Sequence, residues 1–210
     1  MQRRRRLLAA RLFVVMCLTL WLLTKWLQQC WQFPSVLIVL SIMRALLISA
    51  RLKTPALNVG ASLWPTNLDG VYLCSRAVLA ALKQSRGSIV NIASISGLRA
   101  STLRVAYSTS KAGVIHLTQQ FAAEMGEFGI RVNCVAPGPV RTKLAIAVHS
   151  QAIIDAYHDT IPLNRYGSEA EIAEAIVFLG LEKASYITGQ TLAVDGGFDS
   201  TGVGLPALRA

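Results

Sequence analysis

The residues best suited to chemistry are a tyrosine and a lysine four positions apart, Tyr107 and Lys111, in the stretch Tyr-Ser-Thr-Ser-Lys. On a helix, positions i and i+4 lie one above the other on the same face, which would place the ammonium beside the phenol. A nearby positive charge favours phenolate, so we expect a lowered tyrosine pKa and a proton-transfer group usable near neutral pH. Ser94, thirteen residues upstream of Tyr107, adds a hydroxyl that could hold a substrate oxygen.

Strand and helix patterns alternate around this stretch. Short apolar runs indicate buried strands, and longer runs with apolar residues at helical spacing predict helices. Asn67 and Asp69 are candidate N-caps for the first helix, Gly129 ends the second, and Ser168 forms a capping box with Glu171 at the last. The predicted helices cover residues 67–84, 105–128, 143–157 and 169–181, and the predicted strands cover residues 88–93, 130–135 and 191–194.

This alternation implies an α/β layered domain with a parallel sheet. In open parallel sheets, ligands bind at the carboxyl ends of the strands. Ser94 opens the loop at residues 94–104, directly after one predicted strand, and Pro137-Gly138-Pro139 forces a turn after the next. We therefore expect both loops at one edge of the sheet, whereas Asp195-Gly196-Gly197 is expected to be a structural turn.

The net charge of +10 is confined to the N-terminal third of the chain. Residues 1–68 hold nine Lys or Arg and no Asp or Glu, whereas residues 69–210 hold twelve basic and eleven acidic residues, a net of +1. A near-neutral body argues against a nucleic-acid partner. The four cysteines and three histidines are too dispersed for a metal site or a disulfide framework, and none is predicted.

The apolar N-terminal third allows three interpretations. Four arginines precede an uncharged run of thirteen residues between Arg11 and Lys25. This run is shorter than the roughly twenty residues of a spanning helix, but a membrane anchor or membrane-associated segment within residues 7–50 is one interpretation. A buried or partner-bound hydrophobic segment is the second. An altered start or shifted reading frame is the third, favoured by the absence of acids and by the change of composition near residue 65.

The body of the chain resembles the short-chain dehydrogenase/reductase family over residues 66–200. A lone Tyr-x-x-x-Lys is weak evidence, but five matching stretches follow in the family's order and spacing. They are Asn67-Leu-Asp-Gly-Val-Tyr72, Gly87-Ser-Ile-Val-Asn-Ile-Ala-Ser94, Tyr107-Ser-Thr-Ser-Lys-Ala-Gly113, Ile130-Arg-Val-Asn-Cys-Val-Ala-Pro-Gly138 and Tyr186-Ile-Thr-Gly-Gln-Thr-Leu-Ala-Val-Asp-Gly-Gly197.

The resemblance implies a Rossmann-like, doubly wound parallel sheet in a three-layer α/β/α arrangement. The family's first half carries a glycine-rich turn that receives the cofactor pyrophosphate at a helix N-terminus. No glycine precedes Gly60 here. We therefore expect an incomplete sheet that lacks the first βαβ units. Residues 66–210 would form a partial domain, residues 1–65 an apolar extension, and the strand at Ser88 would have an exposed edge.

The same resemblance implies a role for each site residue. Tyr107 would be the general acid/base for a substrate hydroxyl or carbonyl oxygen, and Lys111 would lower its pKa and bind the nicotinamide ribose. Ser94 would hydrogen-bond the substrate oxygen. Asn67 would hold a water that links Lys111 to solvent. The remaining cofactor contacts would come from Asn91, Pro137, Gly138 and Thr142.

Each assignment has a structural alternative. Ser94 could cap its loop, and Asn67 and Thr142 could be simple helix N-caps. Tyr107 could be a half-buried packing residue. Lys111 could be a solvated surface charge.

The leading functional hypothesis is an oxidoreductase that transfers hydride between a nicotinamide cofactor, NAD or NADP, and a small alcohol or carbonyl substrate. The alternatives are a truncated, catalytically silent relative that acts by association, and a membrane-anchored reductase. The absent glycine-rich turn favours silence, whereas the retained Ser94, Tyr107 and Lys111 favour catalysis. In the family, the helices at residues 67–84 and 105–128 form the subunit interface, so we expect a homo-oligomer, cytoplasmic or associated with a membrane.

Overall fold

A parallel β-sheet lies at the centre of the fold, as the alternating pattern predicts. The computed structural model describes residues 11–14, 36–40 and 63–200. Five strands, β1 to β5, lie side by side in chain order, and every neighbouring pair is parallel. The strands are Arg11–Val14, Val36–Leu40, Ser88–Ile92, Arg131–Pro137 and Thr191–Val194.

Helices of very different length connect the last three strands. A π-helical segment, Pro65–Asp69, leads into α1, and 3-10 turns at Gly126–Phe128 and Glu182–Ala184 follow α3 and α6. Across residues 63–200, no helix is both long enough and apolar enough to cross a membrane. The helices are α1 Gly70–Ser85, α2 Ile95–Leu98, α3 Val105–Met125, α4 Lys143–Val148, α5 Gln151–Thr160 and α6 Glu169–Gly180.

Two apolar clusters cover the two faces of the sheet and make three layers. All five residues of β3 are buried, so the strand is covered on both faces, as expected of a central parallel strand. Ile89 faces one side, where it joins buried residues of α1 and α3. Val90 faces the other side with Ile172 and Ile176 of α6. The predicted α/β/α layering is therefore confirmed.

Two strands from the N-terminal third extend the sheet. Val39 and Leu40 of β2 pair with Ser88 and Ile89 of β3, and β1 pairs with β2. The expected exposed edge at Ser88 is thus wrong. The run Val-Leu-Ile-Val-Leu has high β-propensity, and it finds a neighbouring strand. The rest of residues 7–50, to which the membrane interpretation applies, lies outside the described residues.

The start of the first helix departs from the prediction. The chain is already helical at Leu63, so Asn67 and Asp69 lie inside a continuous helical segment. Asp69 makes no side-chain capping bond to α1. The N-cap assignment of both residues is therefore wrong. The loop predicted at residues 94–104 also contains α2, a single helical turn that is too short to show a periodic pattern.

Other local predictions are confirmed. The Ser168 hydroxyl accepts from the Glu171 backbone N–H at 3.2 Å, and the Glu171 carboxylate accepts from the Ser168 N–H at 2.7 Å, a complete capping box. Gly129 has a φ of 70°, in the left-handed region that ends helices. The helical stretch predicted from residue 143 divides into α4 and α5 at His149 and Ser150.

Helix α2 lies directly against α3 because residue 97 is a glycine. A Cβ at Gly97 would stand 2.7 Å from the Lys111 carbonyl carbon and 2.8 Å from the Ala112 nitrogen. These are backbone atoms of α3, which cannot move aside as the end of a flexible side chain can. The close approach fixes the short helix that Ser94 begins against the segment of α3 that carries Lys111.

We expect Gly97→Ala to lower the free energy of unfolding by about 1–3 kcal/mol, because the added methyl forces α2 and α3 apart. Gly126→Ala is the matched control. A Cβ at Gly126 would meet nothing within 4 Å, and its φ of −58° suits alanine. The control should change stability by no more than about 1 kcal/mol and in the stabilising direction. Urea unfolding of both variants measures this, and equal losses would contradict the close approach.

Candidate active site

The side chain of Ser94 makes two hydrogen bonds, one that caps α2 and one to Tyr107. It is the N-cap of α2, and its Oγ accepts from the Ser96 backbone N–H at 3.2 Å. The structural alternative for this residue, a loop cap, is therefore confirmed. The same side chain also hydrogen-bonds Tyr107, and this bond lowers the tyrosine pKa. Capping fixes the position of the serine, and the fixed hydroxyl lies next to Tyr107.

The side chain of Lys111 is buried and links α3 to β3. Its side chain is 3% exposed, so the surface-charge alternative is wrong. The Nζ donates to the Ile92 carbonyl oxygen at 2.9 Å and lies 5.9 Å from the centre of the Tyr107 ring. Tyr107 and Lys111 sit one turn apart on α3, as their spacing predicts. Ser94, Tyr107 and Lys111 thus converge at the carboxyl end of β3.

Burial, and not the lysine charge, sets the pKa values of this pair. The pKa of Tyr107 is raised above its ordinary value, mainly because burial disfavours phenolate, while Ser94 and Arg104 lower it by smaller amounts. The expectation that Lys111 brings the tyrosine pKa down is therefore wrong here. Burial lowers the pKa of Lys111 to about 8, against an opposing effect of Cys134. The lysine is the member of the pair that titrates near neutral pH.

Asn67 contacts α3 at Ser110, the residue before Lys111. It is 1% exposed, and its Nδ2 donates to the Ser110 Oγ at 3.2 Å. Ser110 in turn donates to the Tyr107 carbonyl oxygen at 2.7 Å. A short chain of hydrogen bonds therefore links Asn67 to the backbone of α3 at Tyr107. Its predicted role in holding a relay water stays a prediction.

Asn91 bonds across the layers of the fold. It is 1% exposed in β3, and its Nδ2 donates to the Thr118 Oγ1 at 2.9 Å. Thr118 donates onward to the Val114 carbonyl oxygen within α3. The Oδ1 of Asn91 is buried without a hydrogen-bond partner among the described residues. The side chain therefore holds β3 to α3, and its predicted contact with a cofactor stays a prediction.

The second wall of the site follows strand β4. Pro137 ends β4, and the Gly138 N–H donates to the Val194 carbonyl oxygen at 3.0 Å. A Cβ at Gly138 would stand 2.5 Å from the Asp195 Cβ, so only glycine fits this approach of two strand ends. Thr142 caps α4 by accepting from the Ala145 N–H at 3.1 Å. Its structural alternative is confirmed, and its contact with a cofactor stays a prediction.

The turn after β5 supports that wall. The Asp195 carboxylate accepts from the Gly197 N–H at 2.9 Å and from the Asp199 N–H at 2.6 Å. Both carboxylate oxygens are used in the turn, which is the structural role expected of this sequence. Among residues 63–200, no three His, Cys, Asp or Glu side chains group together as a metal ion would need.

Sequence reasoning missed two neighbours of Tyr107 and Lys111. Arg104 stands three residues before Tyr107, and its guanidinium carbon is 5.7 Å from the centre of the tyrosine ring. The i, i+3 spacing on α3 could have indicated this contact. Cys134 of β4 lies close enough to Lys111 for their charges to interact. No local pattern indicates that contact, because it joins a helix to a strand distant in sequence.

Comparison with known proteins identifies the family. The family model described as "Enoyl-(Acyl carrier protein) reductase" matches residues 41–199. The chain belongs to the short-chain dehydrogenase/reductase family. This short-chain dehydrogenase/reductase is 42% identical over 133 residues to the 3-oxoacyl-[acyl-carrier-protein] reductase FabG of Chlamydia muridarum, covering 63% of this chain and 53% of that protein. It therefore spans about half the length of the curated relatives it matches.

Two solved structures that resemble this chain in sequence share its fold. Gluconate 5-dehydrogenase from Burkholderia cenocepacia, solved with NADP and tartrate, is 30% identical with a TM-score of 0.75, over 80% of this chain and 66% of that one. A 4-hydroxyisoleucine dehydrogenase mutant, solved with NADH and succinate, is 30% identical with a TM-score of 0.77, over 86% and 75% of the two chains.

The lowered pKa of Lys111 predicts a definite pH dependence of stability. Unfolded, the lysine keeps its proton up to its ordinary value of 10.5, whereas folded it loses the proton at about 8. Between these values the unfolded state binds more protons, so this group makes stability rise with pH. The free energy of unfolding of the wild type minus that of Lys111→Met should therefore rise by about 1.4 kcal/mol per pH unit in this window.

Urea unfolding between pH 7 and about 10 measures that difference. The difference is used because the Cys134 thiol, whose pKa burial raises to about 11, titrates in both proteins and acts with the opposite sign. A difference that is flat or falls with pH would show that Lys111 is not titrating as a buried amine.

Proposed function

We propose that this chain is an oxidoreductase that transfers hydride between NAD or NADP and a small alcohol or ketone. The convergence of Ser94, Tyr107 and Lys111 at the carboxyl end of β3 supports this proposal most directly. Membership of the family supports it independently. The NADP and NADH in the solved relatives' structures support a nicotinamide cofactor of either kind.

The residues at this edge fit the nicotinamide half of such a cofactor. Pro137 ends β4, the strand beside the one that leads to Ser94, and Gly138 and Thr142 follow it; the missing Cβ of Gly138 lets two strand ends approach closely. When bound, the nicotinamide supplies or accepts the hydride. Lys111 would hold its ribose. The glycine-rich turn for the pyrophosphate has no counterpart, since no glycine precedes Gly60.

In this proposal Tyr107 exchanges the proton. Its raised pKa keeps the phenol protonated near neutral pH, which is the form that donates to a carbonyl oxygen during reduction. Ser94 orients that oxygen and stabilises the negative charge that develops on it. Lys111, with a pKa of about 8, exchanges protons readily near neutral pH and can restore the proton of Tyr107 by way of solvent.

A second candidate is a catalytically silent relative that acts by association. The observation that favours it is the absence of any glycine before Gly60, which removes the usual means of binding the pyrophosphate. The two candidates differ in one measurable property, because the first requires saturable binding of a nicotinamide cofactor and the second does not.

Titration of the purified chain with NADH and NADPH, followed by cofactor fluorescence, tests the proposal. We expect saturable binding of one cofactor and turnover of small ketones that falls about 10²–10⁴-fold in Tyr107→Phe, because the proton donor is lost. Cofactor binding should survive in this variant. No binding at millimolar cofactor would refute the enzyme proposal, and turnover unaffected by Tyr107→Phe would refute the assigned role.

We also propose that the chain forms a homo-oligomer through α1 and α3. These helices border an apolar groove, and its members Tyr72 and Leu73 are 41% and 44% exposed. Such exposed apolar surface between two helices favours a protein partner, and the expected interface of the family uses the same two helices. The groove is lined by Leu68, Asp69, Tyr72, Leu73, Gly113, His116, Leu117 and Gln120.

Leu73→Glu should convert the oligomer to a monomer, because it places a carboxylate in the apolar contact. Leu144→Glu, at a leucine of α4 that is 60% exposed, makes the same chemical change outside the groove and should leave the mass unchanged. Size-exclusion chromatography with light scattering distinguishes these states. A monomeric wild type at micromolar concentration, or dissociation by both variants, would count against this interface.

A further inference from the structure

Arg104 brings an unpaired positive charge to the reacting tyrosine. It is the N-cap residue of α3 and is half-buried. Its guanidinium carbon lies 5.7 Å from the centre of the Tyr107 ring. Within residues 63–200, the one ion pair joins Arg165 to Glu171 at 2.6 Å. No carboxylate among these residues therefore neutralises Arg104.

Two other arginines use their guanidinium groups differently. Arg99, from the same loop, donates to the Phe198 carbonyl oxygen at 2.6 Å. Arg131 donates to the carbonyl oxygens of Leu179 and Gly180 at 2.7 and 3.1 Å. These two guanidinium groups hold parts of the fold together. In the described part of the chain, the guanidinium of Arg104 makes no hydrogen bond of this kind.

An aromatic cluster, formed by His149, Tyr157, Tyr166 and Phe198, lies near Arg104. The ring centres of His149 and Tyr157 are 5.7 Å apart, and those of Tyr157 and Phe198 are 5.9 Å apart. Arg104 is near enough to lower the pKa of His149, although burial has the larger effect. Both effects favour the neutral imidazole, and none of the four cluster residues carries a carboxylate that could pair with Arg104.

We propose that Arg104 determines specificity by binding the carboxylate of an oxo-acid or hydroxy-acid substrate, and this rests on the oxidoreductase function proposed above. A guanidinium presents parallel N–H donors that match a carboxylate, and a half-buried site strengthens the bond. Because the Arg104 guanidinium lies over the ring of Tyr107 itself, the carboxylate it binds must lie within a few carbon atoms of the reacting carbonyl. A remote phosphate on a long carrier arm would not meet this condition.

The chemical step leaves the carboxylate unchanged. During reduction, the carbonyl carbon gains the hydride of the reduced nicotinamide, and its oxygen gains the proton of Tyr107. The ketone becomes a secondary alcohol, and the nicotinamide is oxidised. The carboxylate stays paired with Arg104 throughout, so the arginine fixes the carbonyl against Tyr107 while the aromatic cluster surrounds the hydrocarbon part.

The test compares acids with their uncharged amides, using pyruvate with pyruvamide and acetoacetate with acetoacetamide. Wild type should prefer each acid. Arg104→Gln should lower kcat/KM for the acids about 10–100-fold and leave the amides within a few-fold, because the loss is a charge-assisted hydrogen bond. Arg104→Lys keeps the charge but loses the paired N–H donors, so its kcat/KM for the acids should lie between those of wild type and Arg104→Gln. Equal losses on acids and amides would show a role in positioning Tyr107 and overturn the proposal.

Lys183→Gln is the control for a general loss of positive charge. Lys183 lies in the Glu182–Ala184 turn, which is separated by one residue from Gly180, whose carbonyl oxygen accepts from the Ser88 hydroxyl at 2.8 Å. Ser88 begins β3, so this turn is at the amino end of the strand, opposite Ser94 and Tyr107. The preference for acids should be unchanged in this variant.

Malonate binding separates this inference from the function on which it rests. Calorimetric titration should detect malonate binding to wild type and Lys183→Gln, with affinity reduced about 10–100-fold in Arg104→Gln. Binding with no turnover of any ketone would refute the oxidoreductase function and leave the carboxylate site standing. Turnover of amides as fast as acids, or malonate affinity equal in wild type and Arg104→Gln, would overturn the carboxylate site and leave the function standing.

Discussion

One buried hydrogen bond holds the two halves of the site in place. The Nζ of Lys111 donates to the Ile92 carbonyl oxygen, at the last residue of β3 and two residues before Ser94. It therefore fixes the helix that carries Tyr107 relative to the loop that carries the serine. A buried amine without a partner is costly, so the lysine is held at this carbonyl by the fold around it. The absent Cβ of Gly97 allows α2 to close the same corner.

That burial also sets the acid–base properties of the site. A Tyr-x-x-x-Lys spacing shows that a phenol and an amine share a helix face, and the structure confirms this. The spacing does not indicate how deeply the two groups are buried. Burial opposes the effect that a neighbouring charge has on their pKa values. Burial raises the pKa of Tyr107 and lowers that of Lys111, so each group moves towards its neutral form. The sequence-based argument considered the attraction between charges and omitted the cost of removing them from water.

Much of the body could be predicted because its signals are local. The capping box at Ser168, the left-handed Gly129 and the buried strand at Ser88 each depend on a few adjacent residues, and each prediction is confirmed. The pairing of β2 with β3 could not be predicted in this way, because it joins residues far apart in the chain. The contact of Arg104 with Tyr107 is local, but whether a carboxylate neutralises the arginine depends on the fold, and none does so within residues 63–200.

The wall beside the predicted nicotinamide is built from contacts within residues 63–200. Gly138 bonds to Val194, and the turn that follows is held by the Asp195 carboxylate. None of these contacts uses the segment where a pyrophosphate would bind. The proposed proton transfer and the affinity for a dinucleotide would therefore depend on different parts of this chain. In the proposed function, the lack of a glycine before Gly60 bears on how tightly a cofactor would be held, whereas Ser94, Tyr107 and Lys111 would act on the substrate once a cofactor is bound.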